Sequence, residues 1–150
     1  MLDKSEQRIV DDIARVGWHV LGVLAAEDYP PFTYSIGMMP TLGHPEIVIF
    51  GLDHKLCATI INAMGKEIRE GRSFREPGLY EGLIERFACK IRPVTPSSHA
   101  GHLGFAMWHQ RHIGQINKLD AVQLLWPDKA GLFPDEPGCH PGLMAMQPLL

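Results

Sequence analysis

The sequence predicts a single α+β domain spanning residues 1–150, built on a mostly antiparallel sheet or a partly open, split barrel with two main helices packed against it. Three observations favour this class. Strand-like segments outnumber helical ones, the two types do not alternate as strand, helix, strand, and 150 residues suffice for one buried core. A doubly wound parallel sheet is therefore disfavoured.

Composition excludes several classes of protein. The chain carries 14 basic and 17 acidic residues, which gives no basic surface for nucleic acid. The N-terminus lacks the apolar core of a signal peptide and no apolar run is long enough to span a membrane, so we expect a cytoplasmic protein without membrane contact. Cys57, Cys89 and Cys139 are odd in number and widely spaced, as expected of reduced thiols.

An amphipathic helix is predicted first. Ile9, Ile13 and Val16 recur at helical spacing, with Ser5 as a candidate N-cap and Gly17 as the C-terminal residue. This helix occupies residues 1–17, ahead of the strands.

Three strands should follow. Residues 18–25 and 32–37 are rich in β-branched and aromatic side chains, and the prolines of "EDYPP" separate them. Residues 46–51 are almost continuously apolar, which predicts a central strand covered on both faces. A second helix is indicated from an Asp53 cap to Gly71 by apolar residues at intervals of three and four.

The second half predicts further strands and a long uncertain segment. Phe87, Cys89 and Ile91 alternate with charged residues, so this strand should lie near an edge and pair with "YEGLIE". "AVQLLW", residues 121–126, predicts the last strand. The tail after it is rich in proline and glycine, which predicts an ordered loop. Residues 94–119 are either a poorly marked helix or a functional loop.

Two titratable side chains stand immediately before the central strand. His44 and Glu46 flank Pro45, and residues two apart on a strand face the same side. Burial perturbs the ionisation of a carboxyl group, and a nearby imidazole can share in proton transfer. We therefore predict His44 and Glu46 as catalytic acid–base residues. The alternative is a structural loop in which Glu46 caps backbone amides and His44 is satisfied by a hydrogen bond.

Binding residues are predicted on the second and last strands. Trp126 offers a large apolar face, Asp128 an acceptor, and Gln123 a polar group within an apolar strand. With Tyr34 as a further hydrogen-bonding partner, these residues and the His-Pro-Glu triplet should line one pocket. Ordinary turn chemistry is the alternative explanation for the Pro-Asp sequence.

Four histidines form the pattern H-x-x-H, six residues, H-x-x-H, at positions 99, 102, 109 and 112. On one continuous helix His102 and His109 share a face, whereas His99 and His112 diverge, so the four cannot converge and no metal site is predicted. A metal-dependent hydrolase that uses these residues is kept as a less favoured alternative.

The motifs "PPFTYSIGM", "GHPEIVIFGL", "INAMG", "VQLLWPD", "GLFP" and "QPLL" resemble, in order and spacing, the bacterial domain-of-unknown-function family 4262, from about Trp18 to Leu150. The resemblance implies no particular reaction. One departure is Asp135, which stands where such sequences often have tryptophan. The family's characteristic positions fall here on Tyr34, Gly37, His44, Pro45, Glu46, Asn62, Gly71, Gln123, Trp126, Pro127, Asp128, Gly131, Phe133, Pro134 and Gln147.

Several functions fit these observations. The favoured hypothesis is a small-molecule-binding or enzymatic domain, and the alternative is a protein-interaction module, such as an immunity protein, without catalysis. The order strand, loop, apolar strand, helix also occurs in flavin-reductase-like split barrels. By that analogy FMN is a candidate cofactor, with Thr33, Ser35 or Arg72 near its phosphate. A homo-oligomer is compatible with the sequence.

Overall fold

Six strands form one open sheet in the computed structural model, which describes all of residues 1–150. The strands are β1 (His19–Val23), β2 (Phe32–Ile36), β3 (Glu46–Phe50), β4 (Gly78–Ile84), β5 (Phe87–Pro93) and β6 (Ala121–Leu125). Their order is β1-β2-β3-β6-β5-β4. Only β3 and β6 run parallel; every other neighbouring pair is antiparallel. The predicted α+β class is confirmed, and the sheet does not close into a barrel.

Six helices accompany the sheet: α1 (Lys4–Val16), α2 (Met38–Leu42), α3 (His54–Arg69), α4 (His99–His102), α5 (Gly104–His112) and α6 (Pro141–Met146). None of them combines the length and the apolar character that crossing a membrane requires. The three cysteines are buried free thiols, as predicted.

The sheet is covered on both faces. Ile47 and Ile49 of β3 belong to one apolar cluster, which includes the buried face of α3. Val48 and Phe50 belong to a second cluster, which includes Ile9 of α1 together with residues of the α4–α5 region. The alternation follows from the two-residue period of a strand, and the prediction of a central, doubly covered β3 is confirmed.

Several sequence-based expectations need correction. The cap of α1 is Asp3 rather than Ser5, because the Asp3 and Glu6 side chains each accept a hydrogen bond from the other's backbone N–H. The loop before His44 contains α2, and the tail contains α6. Pro141 can begin α6 because the N–H of a first-turn residue has no partner within the helix. Residues 94–119 hold α4 and α5, the first of the two alternatives.

Gly65 of α3 lies against the ring of Trp18, and a Cβ built there would clash with Cζ2 of that ring. The ring is held in place, since its N–H donates to Asn62 and the Arg69 guanidinium covers it. In Gly65→Ala the overpacking cost of about 1–3 kcal/mol should exceed the helix-propensity gain of about 1 kcal/mol. We expect urea denaturation to show a loss of stability.

Gly101 is the matched control for this substitution. It lies in α4 with no atom within 4 Å of a built Cβ, so Gly101→Ala should keep the propensity gain without the packing cost. Stabilisation by both substitutions would show that the Trp18 ring is free to move.

Candidate functional site

The Glu46 carboxylate is buried at the start of β3, where it accepts four hydrogen bonds. Oε1 accepts from the Ser35 hydroxyl at 2.8 Å and the Met38 N–H at 3.1 Å. Oε2 accepts from the Gly37 N–H at 3.1 Å and the Met39 N–H at 3.0 Å. The side chain thus supplies the acceptors that the first N–H groups of α2 lack. Burial raises the pKa of Glu46 to about 7, and the hydrogen bonds offset part of that rise.

His44 is also buried, and both of its ring nitrogens have partners. Nδ1 lies 2.8 Å from the Pro45 carbonyl, which can only accept, so Nδ1 carries a proton. Nε2 accepts from the Phe74 N–H at 2.9 Å and is therefore unprotonated. The ring is neutral in this arrangement, and burial lowers the pKa of His44. Both arrangements match the structural alternative for the His-Pro-Glu triplet, and the catalytic roles of His44 and Glu46 stay predictions.

Tyr34 and Gln123 are likewise buried with their polar atoms engaged. The Tyr34 hydroxyl accepts from the Phe105 N–H at 3.1 Å, and burial raises the pKa of Tyr34 to about 12. The Gln123 amide donates to the Pro148 carbonyl at 2.8 Å and accepts from the Leu150 N–H at 3.0 Å. Gln123 therefore fixes the C-terminal segment to the sheet, and neither side chain is open to solvent.

The two predicted clusters lie at opposite ends of the sheet. Glu46 pairs with Ala121 in the parallel β3–β6 ladder, whereas Trp126 comes five residues after Ala121, roughly 16 Å further along at about 3.3 Å per residue. The expected common pocket for the His-Pro-Glu triplet and the segment 123–128 is therefore not formed. Parallel pairing is the reason, because it places the start of β3 beside the start of β6.

Trp126 and Asp128 do share a groove. We call it the WPD groove; its volume is about 820 Å³, and its lining is largely apolar. It lies beyond the carboxyl end of β6. Its walls come from two segments, Trp126, Pro127, Asp128, Lys129 and Ala130 on one side and Gly138, His140, Pro141, Gly142, Leu143 and Met146 on the other.

Hydrogen bonds hold both walls of the WPD groove in position. Asp128 accepts from the N–H groups of Ala130, Leu132 and His140, which ties the two ends of the loop 128–140 together. The backbone hydrogen bonds with Leu132 and His140 lower the pKa of the Asp128 carboxyl. The Trp126 ring N–H donates to the Phe50 carbonyl at 2.8 Å. The groove is thus built on the sheet and is not a gap between loose loops.

The C-terminal wall is secured through Gln147. Its amide accepts from the Trp126 N–H at 3.0 Å and donates to the Trp126 carbonyl at 2.9 Å. One side chain therefore satisfies both backbone groups of Trp126, as a neighbouring strand would. Leu143, Met146 and His140 were missed by the sequence analysis, because the proline and glycine content around them indicated a loop. The only sequence signal for these residues was that Gln147, a characteristic position of the family, lies a few residues away from them in the sequence.

The four histidines of the α4–α5 region do not converge. His102 packs among Tyr29, Phe32 and Phe50, whereas His112 stacks on Trp108 with a centroid distance of 5.1 Å. No group of three or more histidine, cysteine, aspartate or glutamate residues is arranged to hold a metal ion. The geometry that a metal-dependent hydrolase would need is absent from these histidines.

The residues suggested for an FMN phosphate do not form an anion site. Thr33 is buried with its hydroxyl 3.0 Å from His54 Nδ1, and the Ser35 hydroxyl donates to Glu46. Arg72 pairs with Glu67 and lies over the ring of Phe74. These partners do not fit the flavin analogy.

Comparison with known proteins identifies a family. No curated protein and no solved structure matches the chain. The family model described as "Domain of unknown function (DUF4262)" matches residues 12–140, which begins within α1 and ends at the second wall of the WPD groove. The match includes all six strands of the sheet. The chain therefore belongs to the DUF4262 family.

Proposed function

We propose that the protein is a small-molecule-binding domain whose ligand occupies the WPD groove. The supporting observation is that Trp126 and Asp128, chosen from sequence as binding residues, line one groove of about 820 Å³, a volume typical of ligand sites. The apolar lining suits a flat or aliphatic ligand body that packs on the Trp126 ring.

Polar groups in the lining of the WPD groove indicate which polar group such a ligand should carry. His140 Nδ1 accepts from the Gly142 N–H at 3.0 Å, so the proton of a neutral His140 ring is on Nε2 and is free to donate. Lys129 adds an exposed ammonium group to the same lining. We therefore expect a ligand with an apolar body and a hydrogen-bond acceptor.

Two methionines of α6 provide the test of this proposal. Met146 lines the groove and is 42% exposed, whereas Met144 does not line it and is 44% exposed. We expect a metabolite panel to contain compounds that raise the thermal midpoint of the wild type and of Met144→Glu but not of Met146→Glu. A ligand at 100 times its Kd should stabilise by about 2.7 kcal/mol. An absence of such compounds, or equal losses in both variants, would contradict the proposal.

A protein-interaction module is a second candidate, and one observation favours it. Met144, Met146 and Leu149 are large apolar side chains exposed within the C-terminal segment, and exposed apolar surface can mark interaction sites. A macromolecular partner that surrounds this segment should be lost in Met144→Glu as well as in Met146→Glu. That shared loss separates it from a ligand confined to the groove.

A further inference from the structure

A second cavity lies apart from the WPD groove, between the α4–α5 region and the loop that leads to β6. Its volume is about 430 Å³, within the range of small-molecule sites. Its lining combines apolar and polar side chains, chiefly Met107, Ile116 and Leu119 with His99, Gln110 and Arg111. None of these residues lines the WPD groove, so the cavity is an independent feature.

Two buried nitrogens in the lining residues have no hydrogen-bond partner. Gln110 is 4% exposed and His99 is 9% exposed, and Nε2 of each is unpartnered. The orientation of the Gln110 amide is fixed, because Oε1 accepts from the Lys118 N–H at 3.1 Å. Gln110 Nε2 is therefore a donor with nothing to donate to. Such groups are rare in folded proteins, and a bound acceptor would satisfy them.

The charge of the lining favours an anionic acceptor. Arg111 is exposed and forms none of the salt bridges of the protein. Burial lowers the pKa of His99, so its ring is neutral near pH 7 and can place its single N–H on Nε2. An amide N–H, an imidazole N–H and a guanidinium group are all donors from which the oxygens of a carboxylate accept hydrogen bonds.

We propose that this cavity binds a small carboxylic acid whose apolar body contacts Met107, Ile116 and Leu119. The carboxylate accepts hydrogen bonds from Gln110 and His99 and pairs with Arg111. Neither nitrogen is open to solvent, so side chains in the cavity wall must move before the acid can reach these two donors. This site does not depend on the function proposed for the WPD groove.

Benzoate and its neutral analogue benzamide test the proposal on the whole chain. We expect benzoate to shift the side-chain amide resonances of Gln110 saturably in a nitrogen–proton correlation spectrum. Benzamide has the same ring but no charge, so it should bind at least tenfold more weakly. The absence of a saturable shift, or equal affinity for the two compounds, would overturn the proposal.

Gln110→Glu is the sharpest variant, because it retains Oε1 as the acceptor for Lys118 and replaces only the unpartnered donor with an anionic oxygen. We expect benzoate affinity, followed by the resonances of the backbone around the cavity, to fall at least tenfold. Arg111→Gln, at an exposed position, should also weaken binding without affecting folding. Met144→Glu, at an exposed position that lines neither the WPD groove nor this cavity, should leave benzoate affinity unchanged. Unchanged affinity in both cavity variants would overturn the assignment.

Discussion

Glu46→Gln should lower the free energy of unfolding by about 2–3 kcal/mol at pH 8, above the pKa of about 7 at which Glu46 ionises in the folded state, because buried donors then lose their carboxylate acceptor. The carboxylate serves four donors, three of which are backbone N–H groups of the Gly37–Met39 turn. An amide in its place offers one acceptor oxygen, and its NH₂ group faces at least one N–H. Urea denaturation of the wild type and the variant measures the difference.

The pH dependence of this stability difference shows whether burial, which raises the pKa of Glu46, outweighs the hydrogen bonds, which lower it. Because the pKa of Glu46 rises from 4.5 to about 7 on folding, the folded state binds a proton more tightly than the unfolded state. The contribution of Glu46 to stability therefore falls as the pH rises from about 4.5 to about 7. The amide that replaces the carboxyl group in the variant cannot titrate. The gap in stability between the wild type and Glu46→Gln should thus narrow as the pH rises through this window.

Buried histidines titrate in the same pH range as Glu46, but their effect on stability cancels when the wild type is compared with Glu46→Gln. The pKa values of His44, His99 and His109 are lowered by burial, so these histidines lower stability as the pH falls below about 6.5, opposite to Glu46. Their contribution is common to the wild type and the variant. Glu85→Gln, at an exposed position, is the control and should change stability by less than about 0.5 kcal/mol. A gap that widens with rising pH would show that the four hydrogen bonds lower the pKa of Glu46 on folding.

The central strand and the long helix were predictable because their signals are local. The apolar run of β3 needs no knowledge of its neighbours to be recognised as buried, and the periodicity of α3 defines its inner face. The Asp53 cap is confirmed for the same reason, since its side chain accepts from the Lys55 N–H two residues away. Such features depend on a few consecutive residues.

The candidate site was harder to predict because it depends on residues far apart in sequence. A polar side chain beside an apolar strand is expected both of an active site and of a buried cap, and only the partners distinguish the two. For His44 the partner is Phe74, thirty residues away. The position of β6 beside β3, parallel to it, likewise follows from packing of the whole chain. That pairing separated two clusters that the sequence analysis had joined.

Gln147→Met should detach the C-terminal segment from the sheet while the sheet itself stays folded. Methionine keeps the length and apolar packing of glutamine but leaves the N–H and carbonyl of Trp126 without partners, at a cost of about 2–3 kcal/mol. We expect hydrogen exchange, followed by mass spectrometry, to accelerate in residues 141–150 and not in β3. Gln115→Met, at an exposed position, should leave exchange unchanged.

Gln123→Met should produce the same exchange pattern, because it frees the Pro148 carbonyl and the Leu150 N–H of the same segment. If the segment detaches as a unit, either substitution alone releases it, and the double variant should cost clearly less than the sum of the two single costs. Additive costs, or faster exchange throughout the sheet, would show instead that the two glutamines stabilise the whole fold. Detachment would also remove Met146 from the WPD groove, so ligands of that groove should bind neither variant.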